Sequence, residues 1–506
     1  MFIKIFLLVL FFAVTIFVGV YYRKRAKNVN DFVLGGRSVG PWLSAFAYGA
    51  SYFSAVVFVG YAGQFGWRFG TSAVWIGLGN AFIGALLAWI VLGRRTRVMT
   101  NHFKSSTMPD FFGTRYVSKA LKIGAAIIIF IFLIPYTASL YNGLSRLFEM
   151  AFGIPFEYCI IGMGVLTAIY VVAGGYFATA VNDVIQGSVM IVGIIAIISI
   201  ILRAKGGFMS AIDMLARVED ASVAPGGYTS FFGPDPISML GVFILTSLGT
   251  WGLPQMVGRF YAIKDEKMIT KGAVISTAFA LIVAGGCYFL GSFGRIFVSQ
   301  DFVTANGYDS IIPEIISGCS EFMIGVVIIL VFAGSISTLS SLVMASSTTL
   351  TLDFLKGNVI KKMDDKKQLL IIRALIVVFI VISSVLAIFQ YQKGFAFIAQ
   401  LMGVSWGALA GSFLAPFLYG LYWKKATKAS VWCCFVFSTV VMVLNVLIRD
   451  KFPAILQSPI NSGAFVMLAG LVIVPVVSFF TRTPDKKTIE KQFSCYETKT
   501  VARAKK

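Results

Sequence analysis

The chain has 506 residues, 58% of them hydrophobic, 15% aromatic and only 13% charged, with a mean hydropathy of +0.85. Forty-seven phenylalanines beside so little charge exclude a soluble domain of this length, and repeated apolar runs of about 20 residues, enough to cross a hydrocarbon core, make it a multi-span membrane protein. The net charge of +21 is dispersed among short loops, which excludes a nucleic-acid interface and suits a basic face against anionic lipid.

The length rule gives an all-α polytopic chain of about thirteen spans, at 3–22, 41–68, 71–92, 119–150, 155–180, 183–204, 236–262, 268–298, 318–355, 369–391, 395–422, 429–449 and 459–481. The first lacks a signal-peptide cleavage site and is followed at once by "RKRAK" (23–27), so it reads as a retained helix with its N-terminus outside. Basic loops at 93–104, 264–271, 356–368 and 423–428 alternate with loops poorer in Lys and Arg and mark the cytoplasmic face. The tail, 482–506, is polar and basic and is expected to be inside and mobile.

Two spans look interrupted. The second carries Gly49, Ala50 and Ser51 near its middle, and the seventh carries Gly249, Gly252 and Pro254. Glycine and proline release backbone groups that survive in lipid only where they line a cavity, although both residues also serve close packing in membrane helices. Each interrupted span opens a block of five, which points to an inverted-repeat transporter with a midplane site. The expected organisation is an extra N-terminal span and basic loop (1–40), a first five-helix repeat (41–204) and an extracellular loop (205–235). A second repeat (236–422), two C-terminal spans (423–481) and the tail (482–506) follow.

The ninth span contains "VFAGSISTLSSLVMASSTT" (331–349). Ser337, Ser340 and Ser341 fall at i, i+3 and i+4 and share one helix face, with Thr338 slightly around it. Neutral hydroxyls, with carbonyls from a broken helix, suit a hard alkali cation by the logic that governs calcium and magnesium. The competing reading is small residues that pack or bond back onto their own helix. Asp183 opens the sixth span, where an ion role competes with helix capping. The six cysteines show no C-x-x-C spacing, His102 is the single histidine and lies in a basic loop, and no P-loop or H-E-x-x-H occurs, so no enzyme is expected.

The segments "DFVLGGRSVGP" (31–41), "MPDFFGTRY" (108–116), "LYNGLSRLFEMAFGIPFE" (140–157), "IYVVAGGYFATAVNDVIQGSVMI" (169–191), "WGLPQMVGRFYAIKD" (251–265) and "SISTLSS" (335–341) resemble, in order, those of the sodium:solute symporter family, in its proline/pantothenate-like branch. The resemblance implies a LeuT-like core of two inverted five-helix repeats, alternating access, and sodium as coupling ion with no other cofactor. Carried over, the common sodium site falls on the carbonyls of Ala50, Phe53 and Gly334 and the hydroxyls of Ser337 and Thr338. A second sodium site, found in some members, falls on Asp183, Ser337, Ser340 and Ser341. Solute contacts are expected from Tyr52, Ser54, Val57, Tyr136, Thr250 and Trp251. Tyr52 replaces an aspartate of the proline carriers, Thr246 and Thr250 replace two of their aromatics, and "VNDVIQG" and "GLPQ" stand as close to pantothenate-type carriers.

The expected function is sodium-coupled import of a small organic solute, an amino acid such as proline or another small carboxylate, with pantothenate-type and monocarboxylate symport as alternatives. A proton-coupled carrier titrating Asp183, and a transporter-like sensor or channel, are the readings from other classes. A monomer suffices for any of these. The expected setting is a bacterial inner membrane; solute, sodium count and oligomeric state stay open.

Overall fold

The computed structural model describes residues 2–22, 28–393 and 397–497. The "RKRAK" loop and the last nine residues of the tail lie outside the described residues. The described chain is helical almost throughout, and eleven of its helices are long and apolar enough to cross a membrane. The expectation of thirteen exceeds this by two, for local reasons. The second span is broken, so its first half, Pro41–Ala50, is too short to cross alone, and its second half runs on within the long stretch Val56–Phe103. The fifth leaves only Phe156–Ile169 as a shorter apolar helix.

The boundary between the fifth and sixth spans also moves. The helix Phe156–Ala204 turns sharply at Gly175, whose φ of 60° and ψ of −169° exclude a side chain, and no break occurs at 181–182. Asp183 therefore sits inside the following helix, roughly 12 Å along the axis from the turn, and not at its start. That corrects the expected position and removes helix capping as its role.

Both expected interruptions are present. Pro41–Ala50 ends at a turn in which Tyr52 N donates to Gly49 O at 2.9 Å, and helical geometry resumes from Val56. Pro236–Leu248 passes through a tight turn at Gly249–Trp251 and an extended Leu253 before Pro254–Ala262 begins. Pro254 stands in the first turn of that half-helix, where a missing N–H costs nothing. At Gly252 a Cβ would come within 2.8 Å of the Ala410 backbone, so the break packs directly on the helix Ile398–Tyr422.

The helix Glu321–Thr349 carries the hydroxyl-rich stretch and is buried over most of its length. It packs against Lys119–Phe152, Phe156–Ala204 and the N-terminal helix Phe2–Tyr22. At one end, basic segments converge: Arg94 pairs with Glu266 at 2.9 Å, and the Arg95 guanidinium lies 4.1 Å from the Tyr422 ring centroid. The tail joins that end with a helix, Lys486–Phe493, where a mobile segment was expected. Its Ile489 and Phe493 are buried, and Gln492 donates to Thr114 O at 2.9 Å and accepts from Arg115 at 3.3 Å. An apolar stripe on that short segment is what docks it.

Candidate functional site

The first break leaves backbone groups without helical partners, and the hydroxyls of Glu321–Thr349 supply them. Ser335 Oγ accepts from Ala55 N at 2.8 Å, and Thr338 Oγ1 donates to Phe53 O at 3.2 Å while lying 3.0 Å from Gly334 O. Gly334 is glycine because its Cα faces the break: a Cβ there would stand 2.3 Å from Phe53 Cδ1 and 3.0 Å from Phe53 O. Phe53, Gly334 and Thr338, three members of the expected common site, are thus brought together by contact. Ala50 is buried at the C-terminal end of Pro41–Ala50, where the last carbonyls lack helical donors and carry the negative end of the helix dipole. Phe53 O and Gly334 O, both neutral, each lie within hydrogen-bond distance of Thr338 Oγ1, where the first break meets the hydroxyl-rich helix.

Ser337, one residue away, turns elsewhere. Its Oγ donates to Asp183 Oδ1 at 2.5 Å, and both residues are fully buried. Ser340 and Ser341 donate back to their own helix, to Ser337 O at 2.8 Å and Thr338 O at 2.7 Å, and no hydrogen bond joins either to Asp183. Of the expected second site, the structure joins Asp183 and Ser337 directly. It adds a residue the sequence reading missed: Arg259 Nη2 lies 3.4 Å from Asp183 Oδ2, with side-chain exposures of 3% and 0%. The same nitrogen is 3.4 Å from Ser51 Oγ, and the guanidinium lies 5.2 Å from the Tyr176 ring centroid. An arginine in the second half of an interrupted apolar span, in "PQMVGRFYA", was signal enough to find it. Two like charges about 4 Å apart repel by about 4 kcal/mol at an effective dielectric constant of about 20, so the presence of Arg259 matters to any cation near Asp183.

Of the expected solute contacts, the structure joins Tyr52 and Thr250 directly, at the two breaks. Tyr52 OH donates to Thr246 O at 3.1 Å and lies 3.4 Å from Thr250 Oγ1; Thr250 Oγ1 donates to Gly84 O at 3.1 Å. Trp251 Nε1 donates to Ile83 O at 3.1 Å. Tyr136 follows Pro135 inside its helix and meets the Trp406 ring edge-on at 5.9 Å. Val57 and Ser54 are buried beside the first break, and Ser54 Oγ has no hydrogen-bond partner among the described residues.

A cleft begins just beyond this region. Its walls include Arg259, Gln255, Tyr176, Ser341 and Thr348, and it extends to Thr107. Thr107 donates to Asp353 at 2.6 Å, and Asp353 pairs with Lys122 at 3.1 Å. The second half of the hydroxyl stretch therefore splits, with Thr348 and Thr349 on the cleft wall and Ser346 and Ser347 buried without hydrogen-bond partners for their hydroxyls among the described residues.

Comparison with known proteins agrees with this architecture. The chain is 26% identical over 489 residues to "Sodium/proline symporter 2" of Staphylococcus saprophyticus, covering 95% of this chain and 93% of that one. It is 27% identical over 491 residues to "Sodium/proline symporter" of Staphylococcus aureus strain JH9, covering 95% and 92%. In structure it matches a Na+-coupled sialic acid symporter in a substrate-bound outward-open state, with a TM-score of 0.75 at 18% identity over 96% of this chain and 99% of that one. Mhp1, a nucleobase-cation-symport-1 family transporter, matches with a TM-score of 0.52 at 14% identity over 91% and 97%. The fold is that of the LeuT-like sodium symporters. The family model of the Sodium:solute symporter family matches residues 32–435, most of the sequence. A multi-pass membrane carrier that couples a small solute to Na+, and not an enzyme, the chain belongs to the Sodium:solute symporter family.

Proposed function

We propose that the protein imports a small amino acid or a related small carboxylate, with proline the first candidate, together with sodium. The observation that carries this is the meeting of Phe53 O, Gly334 and Thr338 Oγ1 at the first break, a neutral oxygen set positioned by two helices. Ala50 and Ser337 complete the common sodium site in this reading. The near-full-length likeness to staphylococcal sodium/proline symporters supports the solute class. Tyr52, Ser54, Val57, Tyr136, Thr250 and Trp251 form the solute chamber, and Thr246 belongs beside them. The N-terminal dipole of Pro254–Ala262 favours a carboxylate there.

Residues 41–204 and 236–422 act as the two inverted repeats, each opened by a broken helix. The N-terminus is outside and the tail cytoplasmic, because the basic segments gather at the end where Arg95, Tyr422 and Tyr496 meet. The cleft beside Arg259 and Thr348 is then the path to the cytoplasm.

The test is uptake of radiolabelled proline, and of a panel of small carboxylates, into proteoliposomes with an inward sodium gradient. Saturable uptake that collapses when choline replaces sodium is expected. Sodium-indifferent uptake that follows the pH gradient and vanishes in Asp183→Asn would establish the proton-coupled carrier instead.

A further inference from the structure

We infer that the tail helix Lys486–Phe493 is an inhibitory brace on the cleft. Docked, it steadies the wall at residues 106–108; undocked, it lets the cleft open more readily and transport run faster. The inference rests on the reading of that cleft as the path to the cytoplasm and adds a restraint on it.

The tail holds both helices that support this wall. Ser106, Thr107 and Met108 line the cleft, between Arg94–Phe103 and Met108–Arg115. On the first of these helices, His102 Nε2 donates to Lys491 O at 3.1 Å, and Arg95 O accepts from Tyr496 OH at 3.1 Å. On the second, Thr114 O accepts from Gln492 Nε2 at 2.9 Å. Arg115 donates to Gln492 Oε1 at 3.3 Å, and its guanidinium lies 5.0 Å from the Phe493 ring centroid.

The same two arginines reach the end of Ile398–Tyr422, far along the chain. Arg115, fully buried, donates to Gly420 O at 2.8 Å and Trp423 O at 2.9 Å. Arg95 donates to Leu421 O at 3.2 Å, and its guanidinium is flanked by the Tyr422 ring at 4.1 Å and the Tyr496 ring at 4.6 Å. The tail therefore covers the joint between residues 94–115 and the end of Ile398–Tyr422, and parting that joint disturbs the arginines on which Phe493 and Tyr496 rest.

Such a brace can come and go. Eight residues are too few for a stable helix in water, so Lys486–Phe493 keeps its form only while Ile489 and Phe493 stay buried. Contacts made in this arrangement and lost in a more open one shift the population toward this one.

The test compares wild type with Ile489→Asp/Phe493→Asp and with a chain ending at Thr483, all purified into lipid nanodiscs; either variant suffices where the other fails to fold. Hydrogen–deuterium exchange of residues 104–115 is expected to quicken by about tenfold once the tail is released, with Pro459–Phe480 unchanged. In proteoliposomes with an inward sodium gradient, the maximal rate of proline uptake per molecule is expected to rise by about threefold, because opening steps limit many turnovers. Unchanged exchange at 104–115 with the tail released would overturn the brace. A loosened wall with slower or equal uptake would make the tail a structural support and overturn its inhibitory role. Absence of proline uptake from wild type and variants alike would overturn the proposed solute instead, and the exchange result then decides the brace by itself.

Discussion

At Phe53, Gly334 and Thr338 the oxygens are neutral and their geometry depends on close backbone contact, whereas one residue away Ser337 holds a carboxylate that already faces a guanidinium. The two places share a helix and a degree of burial, so their difference lies in charge. The neutral set carries no charge of its own. An ion pair is complete in itself, and its loss of a partner is what the bilayer core punishes.

The largest effect that can break this contrast comes from removing one charge. Asp183→Ala leaves Arg259 uncompensated and is expected to destabilise the protein by about 3–5 kcal/mol, most of it recovered in Asp183→Ala/Arg259→Met. Thermal unfolding of purified protein without sodium measures both; equal losses in the two variants would mean that the pair is not the electrostatic unit described. Next comes Gly334→Val, which drives a side chain into Phe53 and is expected to cost about 1–3 kcal/mol together with sodium-induced stabilisation. Unaltered sodium stabilisation in that variant would place the ion elsewhere.

Two hydroxyls then separate structure from ion binding. Ser335→Ala strands the Ala55 N–H and is expected to lower stability by about 1–3 kcal/mol without moving the half-saturating sodium concentration. Thr338→Ala is expected to raise that concentration by about tenfold, equivalent to about 1.4 kcal/mol. Reversal of these two outcomes in a sodium titration would exchange their roles.

The smallest effect is a pH dependence at a comparison pair away from both places. Asp309, outside the apolar spans, accepts from Ile398 N at 3.2 Å and lies 3.9 Å from Arg146, and burial pushes its carboxyl up to about 6 from 3.8. Burial outweighs Arg146 and the Ile398 hydrogen bond, which act in the opposite direction. A raised folded-state value means that its contribution to stability is present at low pH and lost as pH rises through about 6. Wild type should therefore gain stability relative to Asp309→Asn as pH falls from 7 to 5, seen as a narrowing or crossing of their unfolding temperatures. A pH-independent difference would show that Arg146 holds Asp309 charged throughout.

Much of this was legible in the sequence because membrane helices announce themselves by length and hydropathy, and broken ones by Gly and Pro. The interruptions at Ala50–Ser54 and Gly249–Pro254 are where the pattern put them, and Ser337 and Thr338 do face a broken helix and a carboxylate. What sequence periodicity could not supply was which hydroxyl meets which partner, since that depends on the rotation of one helix against another. Ser335 was passed over for that reason, although it pairs with Ala55 across the bundle. The turn at Gly175 was missed because the apolar run continues through it, and it took a positive φ to reveal the boundary. Arg259 sits in an interrupted span whose hydropathy stays high, so the sequence alone does not show that its charge faces Asp183 on another helix.

The first break also has a history within the life of each molecule. The partners of Ala55 and Phe53 lie 280 and 285 residues further along the chain. At about 5–20 residues per second, synthesis delivers Ser335 and Thr338 roughly 15–60 s after the residues they serve. Until then the exposed amide and carbonyl have no place in hydrocarbon, where an unpaired backbone group costs several kcal/mol. The early segment must wait as an unbroken helix or in a hydrated setting, and it opens only when the late helix docks. The contact between the first break and the hydroxyl-rich helix is therefore among the last parts of the protein to exist, and a chain truncated before residue 335 never forms it.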